Sequence, residues 1–361
     1  MKQLFSILLI LSLLLCGCGA EKDVPVMATE PAAEATTEPT TEPTTEPTTQ
    51  PTEPPEEHFT ISFTGDCTLG SDPGSWYSTA SFINVVGEDY GYPFRNVLEY
   101  FEKDECTIIN LEGVLGKSGA RADKLFTFRA PAEYINILTE GSVEAVTLAN
   151  NHSADYGRLG YDETKELLNG AGISYAERNS SVVFTTENGL TIGMYGILFT
   201  FDWNDLEEEI AAMQEQGCDV IILAVHWGSE GFYYPLSHQK DQARKAIDMG
   251  VDIVYGNHSH VLQPIEEYGD GIIYYSLGNF SFGGNHNPPD MDTAILQQEI
   301  IRDNEGNTRL GELTIIPTSC TSAEKGNNFQ PTPMEPGTEE YDRVLSKLDG
   351  TFDGPNLNVG Y

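Results

Sequence analysis

Five short polar motifs, each placed directly after a run of apolar and β-branched residues, constrain the fold of this chain more than any other feature. They are Gly65-Asp66, Asn110-Leu111-Glu112, Asn150-Asn151-His152, His226-Trp227-Gly228 and Gly256-Asn257-His258-Ser259-His260. A polar motif that follows a buried strand lies at an edge of a sheet, and in open α/β sheets the carboxyl ends of the strands meet at one edge. The pattern therefore predicts an α/β fold that gathers the five motifs in one cleft.

Strand-like and helix-like patterns alternate between these motifs, which is typical of a layered α/β domain. Apolar or alternating runs predict strands over residues 59–64, 106–110, 143–148, 191–195, 220–225, 251–255 and 272–277. Helical spacing predicts helices over residues 94–103, 131–139, 160–169, 206–216 and 238–249, two of which end in Asn169-Gly170 and Met249-Gly250. Two further strands, 294–300 and 310–316, precede a last helix over residues 339–348. These late strands either add antiparallel edges or complete a second sheet.

Residues 1–17 have the pattern of an export signal. Lys2 supplies the positive start, and residues 4–15 form an apolar stretch too short to span a bilayer as a helix. The tetrapeptide Leu15-Cys16-Gly17-Cys18 resembles the lipobox of bacterial lipoproteins, which implies cleavage before Cys18 and attachment of diacylglycerol to its sulfur. Cys16 is a second candidate for the modified residue, and a cleaved signal with incidental cysteines is the alternative.

Residues 18–57 are predicted to form a disordered tether, because Pro, Thr, Glu and Ala dominate and leave little that could build a core. Its prolines favour extended polyproline segments, which at about 3.1 Å per residue could reach roughly 100 Å. We expect a spacer that lifts the folded domain off a membrane; a low-complexity tail without a role is the alternative. The folded domain is predicted over residues 58–350, and residues 351–361 are predicted to be a tail.

The acidic composition limits the partners of the chain. Its formal net charge is -37 at pH 7. Nucleic acid is not expected as a partner, because phosphate contacts need clustered Lys and Arg. An anionic polymer would have to be met through bound cations.

Four cysteines lie in the predicted domain, Cys67, Cys106, Cys218 and Cys320, without C-x-x-C spacing. A disulfide is allowed outside the cell, but three of the four lie in apolar strand contexts. Buried free thiols are therefore favoured.

The side-chain types in the five motifs indicate a divalent metal. Asn110 and Glu112 lie two residues apart on a strand and so share a face, and a carboxylate at such a buried strand end needs a cation. In extended geometry His258 and His260 also point the same way, a common arrangement at metal sites. The donor set suits Mn, Zn, Fe or Mg, with one or two ions.

Each residue also has a simpler interpretation when it is taken alone. Asp66 could be a turn residue, Glu112 could pair with a Lys or Arg, and His152 could be a hydrogen-bonded histidine. The neighbouring polar residues Asn151 and Asp155 favour a functional role for His152, whose imidazole could exchange a proton with a substrate.

The motifs, together with Leu69-Gly70, Val261, Gln263 and the segment Tyr275-Ser276-Leu277-Gly278-Asn279-Phe280, resemble the CapA family, the capsule-associated poly-gamma-glutamate biosynthesis proteins. The resemblance extends over about residues 59–348, and the order of motifs is similar to that of calcineurin-like metallophosphoesterases. It implies their four-layer α/β/β/α sandwich.

The resemblance also implies roles for individual residues. Asp66 and His260 would bind one metal, Glu112 would bridge to a second, and His152 would protonate a leaving group or stabilise the transition state. The second metal would be completed by Asn151, His226 and His258. Supporting or substrate-contacting roles would fall to Asn110, Asn150, Asp155, Glu230, Gln263 and Asn279. Phosphoesterases carry histidine where this chain has Thr68, so the first metal position is expected to be the weaker one.

Three functions follow as hypotheses. The first is a lipid-anchored protein at the extracytoplasmic face of a bacterial membrane, which assists integral membrane machinery in the synthesis or export of an anionic polymer such as poly-gamma-glutamate. The second is a secreted metal-dependent hydrolase of a wall, lipid or nucleotide phosphoester. The third is a non-catalytic, metal-dependent anion-binding module.

Overall fold

The computed structural model describes residues 55–358. The predicted signal, the candidate lipidation residue Cys18, nearly all of the predicted tether and the last three residues lie outside the described residues. No helix between residues 55 and 358 has both the length and the apolar character that a membrane crossing requires.

The strands, in chain order, are β1 (Glu57–Thr68), β2 (Cys106–Leu111), β3 (Val114–Leu115), β4 (Arg129–Ala130), β5 (Ala145–Thr147), β6 (Ser174–Ala176), β7 (Ser181–Thr185), β8 (Thr191–Leu198), β9 (Val220–His226), β10 (Ile253–Asn257), β11 (Ile265–Tyr268), β12 (Gly271–Tyr274), β13 (Asn279–Phe282), β14 (Asp292–Arg302), β15 (Thr308–Ser319) and β16 (Thr332–Pro333). The helices are α1 (Phe82–Val86), α2 (Leu98–Phe101), α3 (Ile135–Glu140), α4 (Gly157–Ala171), α5 (Trp203–Glu215), α6 (Ser237–Asp248) and α7 (Glu339–Leu348). Short 3₁₀ turns occupy Pro73–Ser75 and Ala132–Tyr134.

Two large sheets organise these strands. In the first the order is β16-β15-β14-β1-β2-β5-β6, with β13 also paired to β1. In the second the order is β11-β12-β10-β9-β8-β7. The central strands of each sheet are parallel, whereas β14 pairs antiparallel with β1 and β15 pairs antiparallel with β14. The late strands therefore extend the first sheet as antiparallel edges, which decides between the two possibilities left by the sequence.

The alternation of side chains along the strands builds four layers. On β9, Ile222 and Ala224 join the apolar core between the two sheets, whereas Leu223 and Val225 join the core under α5 and α6. On β2, Ile109 faces a third core, to which α1 to α4 contribute. Side chains alternate along a strand, so a strand that is buried on both faces contributes to two cores. Three cores between four layers confirm the α/β/β/α sandwich predicted from the resemblance.

Two predicted helices differ in detail. Over residues 94–103, Phe94, Val97 and Phe101 are buried at helical spacing, but mostly turns carry them and α2 covers only Leu98–Phe101. Helix α4 continues through Asn169-Gly170 and ends at Ala171, because Gly172 is the residue that adopts the left-handed conformation, with φ of 75°.

All four cysteines in the described part of the chain are free. Cys67, Cys106 and Cys320 are buried, and Cys218 is partly exposed. Burial raises the pKa of Cys67 to about 12, so this thiol stays protonated and packs as a small apolar group.

Candidate metal centre

The carboxyl-end loops of both sheets meet in one cleft. The first sheet brings Asp66 on β1 and Glu112 after β2, and the second brings His226 at the end of β9. Backbone hydrogen bonds hold this edge: the Asp66 amide donates to the Gly278 carbonyl at 2.8 Å, and the Glu112 amide donates to the Cys67 carbonyl at 3.0 Å. Gly65 is required here, because a Cβ at this position would lie 2.1 Å from the Gly278 oxygen.

One group of possible ligands combines Asp66, Glu112 and His260, whose ligand atoms all lie within 4.8 Å of one another. His260 Nδ1 lies 3.1 Å from Asp66 Oδ2 and 2.9 Å from Asn279 Oδ1. These are the residues that the resemblance assigned to the first metal position.

The residues assigned to the second position lie directly beside the first group. His226 Nε2 is 2.8 Å from Asn151 Oδ1 and 3.5 Å from Glu112 Oε1. The rings of His226 and His258 have centroids 4.6 Å apart. The structure thus brings together all six residues predicted as ligands, while their ligand roles stay predictions.

The environment of Glu112 provides the test of whether a metal fits. Glu112 is fully buried, and neither of its side-chain oxygens accepts a hydrogen bond from any residue that the structure describes. The Nδ1 atom of the buried His258 also lacks a partner. Burying a carboxylate without donors is costly, and a cation coordinated by these atoms removes that cost. The donor set fits a divalent metal.

The pKa shifts of the cluster follow from burial and from the charges packed together in it. Burial and the charge of Asp66 raise the pKa of Glu112 well above its usual range. Burial, with the charge of His260, lowers the pKa of His258 to about 3, and burial also lowers that of His226. Burial opposes protonation of His260 as well, but its hydrogen bond to Asp66 raises its pKa to about 10. His226 and His258 are therefore neutral at pH 7, the form that binds metals.

The predicted extended geometry of the His-x-His pair is wrong. Strand β10 ends at Asn257, and the next residues turn sharply, with φ of 97° at His258 and 56° at His260. Positive φ is unfavourable for residues other than glycine. The two rings nevertheless converge, with centroids 6.0 Å apart, because the turn places both at the cleft. Such strain is typical of functional sites.

Three asparagines predicted as supporting residues orient the ligands. Asn110 Nδ2 donates to Asp66 Oδ1 at 2.7 Å, and Asn150 Nδ2 donates to Asn110 Oδ1 at 2.9 Å. Asn279 contacts His260 as described above. Gln263 acts farther away, since its Nε2 donates to the Phe232 carbonyl at 2.7 Å.

Residues 60–284 match the family described as bacterial capsule synthesis protein PGA_cap. The chain belongs to this family. The predicted resemblance to CapA proteins is therefore confirmed.

Two relatives of this chain come from bacilli. The PGA biosynthesis protein CapA of Bacillus subtilis is 28% identical over 322 residues, which cover 81% of this chain and 82% of that protein. The capsule biosynthesis protein CapA of Bacillus anthracis is 27% identical over 281 residues, covering 69% of this chain and 65% of that protein.

Two solved structures have a lower sequence identity to this chain than these relatives have. A Staphylococcus aureus protein described as a 5'-nucleotidase, in complex with alpha-ketoglutarate, aligns with a TM-score of 0.43 at 14% identity, over 80% of this chain and 58% of that chain. The NAD nucleotidase of Haemophilus influenzae aligns with a TM-score of 0.38 at 12% identity, over 82% and 56%.

In this PGA_cap family member, His152 lies at the wall of the cleft with a defined partner. Its Nδ1 is 2.8 Å from Asp155 Oδ2, and its ring packs on Phe128 with centroids 4.3 Å apart. Burial lowers the pKa of His152, while the hydrogen bond to Asp155 acts in the opposite direction. The pairing fixes the imidazole in one orientation.

Sequence reasoning missed Lys124, which belongs to the same arrangement. Its Nζ donates to Asp155 Oδ1 at 2.7 Å and to the Asn151 carbonyl at 2.9 Å. Lys124 follows no apolar run and belongs to none of the five motifs, so the pattern that identified the other site residues does not include it.

A cavity of about 720 Å³ lies over the cluster. Its walls include Lys124, His152, Glu230, His260 and Asn279. The cavity is large enough for a small ligand or for a short stretch of a polymer chain.

Proposed function

We propose that this protein assists the synthesis or export of an anionic capsule polymer such as poly-gamma-glutamate, through a divalent-metal site. The observation that carries the proposal is the buried Glu112 carboxylate, which lacks donors and lies among Asp66, His226 and His260 in a member of the PGA_cap family. The names of the two bacillar relatives support the same role.

The cleft can bind an anionic polymer only if the negative charge of the cleft carboxylates is neutralised. Asp66 and Glu112 would hold the metal from the first sheet, together with Asn151. His226, His258 and His260 would hold it from the second. A bound divalent ion supplies positive charge that attracts carboxylate or phosphate groups and polarises them. Lys124, on the cavity wall, adds the ammonium group of a lysine to the positive charge available there.

We further propose that Cys18 carries the lipid that holds the protein at the extracytoplasmic face of the membrane. A spacer over residues 18–57 would then keep the domain near integral membrane synthesis machinery. This part of the proposal rests on the lipobox pattern and on the Pro-rich composition.

Deletion of the gene is expected to remove the surface polymer of the source bacterium, and wild-type protein is expected to restore it. The His258→Ala variant should restore about a tenth of the polymer or less, because loss of a ligand weakens metal binding more than the 10–100-fold typical of outer partners. Polymer is measured by chemical assay of washed cells.

The matched control for this experiment is His238→Ala, since His238 is an exposed histidine on α6, outside the cleft. It should restore polymer fully. Unchanged polymer after deletion of the gene would contradict the proposed function.

A second candidate function is hydrolysis of a phosphoester, favoured by the His152–Asp155 pair at the cavity wall. If the metal-loaded protein cleaves one of a panel of phosphodiesters, His152→Ala should lower the rate by about 100-fold or more, as expected for a general acid. No turnover on any ester would remove this function. Metal-dependent binding of polyglutamate without turnover would instead indicate a binding module.

A further inference from the structure

Glu230 lies beside the predicted ligands, although no ligand role was assigned to it. One carboxylate oxygen of Glu230 and one nitrogen each of His258 and His260 all lie within 4.8 Å of one another. Glu230 is partly buried and lines the cavity. No residue in the described range 55–358 donates a hydrogen bond to its carboxylate. Within that range its charge is therefore not neutralised by a hydrogen-bond donor.

The backbone around Glu230 is fixed relative to the two histidines. The Gly231 amide donates to the Ser259 carbonyl at 2.8 Å, and the Trp227 amide donates to the Asn257 carbonyl at 3.1 Å. These two bonds tie the loop after β9 to the loop that carries His258 and His260, one on each side of Glu230. The proximity of Glu230 to the histidines thus follows from the backbone and does not depend on one side-chain rotamer alone.

Without Glu230, the two proposed metal positions have different numbers of possible protein ligands. The second position has four possible ligands, Glu112, Asn151, His226 and His258. The first has three, Asp66, Glu112 and His260. Thr68, two residues after Asp66, contributes a neutral hydroxyl whose Oγ1 is buried without a partner. The group around Glu230 contains His260 of the first position and His258 of the second. The first position has one possible ligand fewer, and this difference favours placing Glu230 there.

We propose that Glu230 is the fourth protein ligand of the first metal position. The assignment rests on the metal site proposed above, for which the evidence is Glu112, whose fully buried oxygens accept no hydrogen bond from the described residues.

The assignment makes the two positions chemically different. The first would have three carboxylates and one imidazole, a donor set that favours hard cations such as Mn²⁺ or Mg²⁺. The second would have two imidazoles, one amide and one carboxylate, which suits Zn²⁺ or Fe²⁺ better. We therefore expect one protein to hold two different divalent ions.

The test is a titration of the metal-free protein with Mn²⁺. Calorimetry measures the heat of binding, and the electron paramagnetic resonance signal measures the Mn²⁺ that stays free. Wild-type domain is expected to bind two ions. Glu230→Gln should lower the affinity of one of them by more than about 100-fold, beyond the loss caused by outer partners, and should leave the other unchanged. The control is Glu208→Gln, which makes the same change on the exposed face of α5 and should alter neither affinity.

The possible results separate this inference from the function proposed above. Equal Mn²⁺ affinities for wild type and Glu230→Gln, with any number of ions bound, would overturn the role of Glu230 alone. Failure of the wild-type domain to bind any divalent ion would overturn both. Loss of both ions from a Glu230→Gln variant whose circular dichroism matches wild type would also contradict the assignment to one position.

Discussion

Substitution of Lys347 by methionine is expected to destabilise the domain by about 3–5 kcal/mol, the cost of breaking a buried ion pair by removing one partner. Lys347 is buried on α7, and its Nζ lies 2.6 Å from Asp290 Oδ2 and 2.7 Å from Asp292 Oδ2. Without the ammonium group, Asp292 keeps its contacts with Arg343, but Asp290 keeps only the hydroxyl of Tyr233 as a side-chain donor. A buried carboxylate would then be left poorly compensated.

Urea unfolding at pH 7 measures this effect, with Lys103→Met as the control. Lys103 is exposed, and its Nζ lies 3.5 Å from Oε2 of Glu99, four residues earlier. Loss of this exposed pair should change the free energy of unfolding by less than about 0.5 kcal/mol. A Lys347→Met variant within about 1 kcal/mol of wild type would contradict the prediction.

The pH dependence provides a second check on Lys347. Burial raises the pKa of Asp292, but Arg343 and Lys347 together lower it below 3.8. A depressed carboxyl pKa stabilises the fold above the unfolded value, and this stabilisation is lost as the pH falls through the folded value. The gap between wild type and Lys347→Met should therefore narrow in acid.

Substitution of Glu112 by glutamine should make the metal-free domain more stable and the metal-loaded domain less so. The neutral amide replaces a fully buried carboxyl group that accepts no hydrogen bond from the described residues and whose ionisation is opposed by burial, which should add on the order of 1–3 kcal/mol at pH 8. It also removes a carboxylate that both proposed metal positions would share, so the affinity for Mn²⁺ should fall by more than about 100-fold. These opposite effects are expected only where a carboxylate is buried in order to bind a cation.

Thermal unfolding with chelator or with Mn²⁺, at several pH values, tests the prediction for Glu112. Because burial and Asp66 raise its folded pKa above 4.5, the folded state retains a proton that the unfolded state has lost. Stability therefore falls as the pH rises from about the unfolded value through the folded value. The advantage of Glu112→Gln should vanish near pH 4.5. A variant less stable than wild type in chelator at pH 8 would contradict this account.

The residues after each strand were the most predictable part of the site. Asn110 and Glu112 share a face as the period of two requires, while Leu111 packs in the core under the helices. Burial on both faces made β2 and β9 recognisable as continuous apolar runs. The His-x-His pair was identified by residue type, although its backbone geometry was not predicted.

Other features depended on contacts between distant segments. The pairing of β14 with β1 joins residues more than two hundred positions apart, and the position of Lys124 beside Asp155 depends on how a long loop folds over the cleft. Glu230 approaches His260 only because the loops after β9 and β10 are hydrogen-bonded to each other. None of these contacts leaves a periodic signal in the sequence.

The sequence by itself determined the strands, the layered fold and the six residues predicted as ligands, because burial and side-chain chemistry leave local patterns along a chain. The tertiary structure alone decided which strand ends meet and that neither oxygen of Glu112 accepts a hydrogen bond from the described residues. It also decided that a Glu230 oxygen lies within 4.8 Å of nitrogens of His258 and His260, and that Lys124 lines the cleft. Those outcomes arise from the packing of two sheets against each other, and sheet packing depends on contacts between residues far apart in the chain.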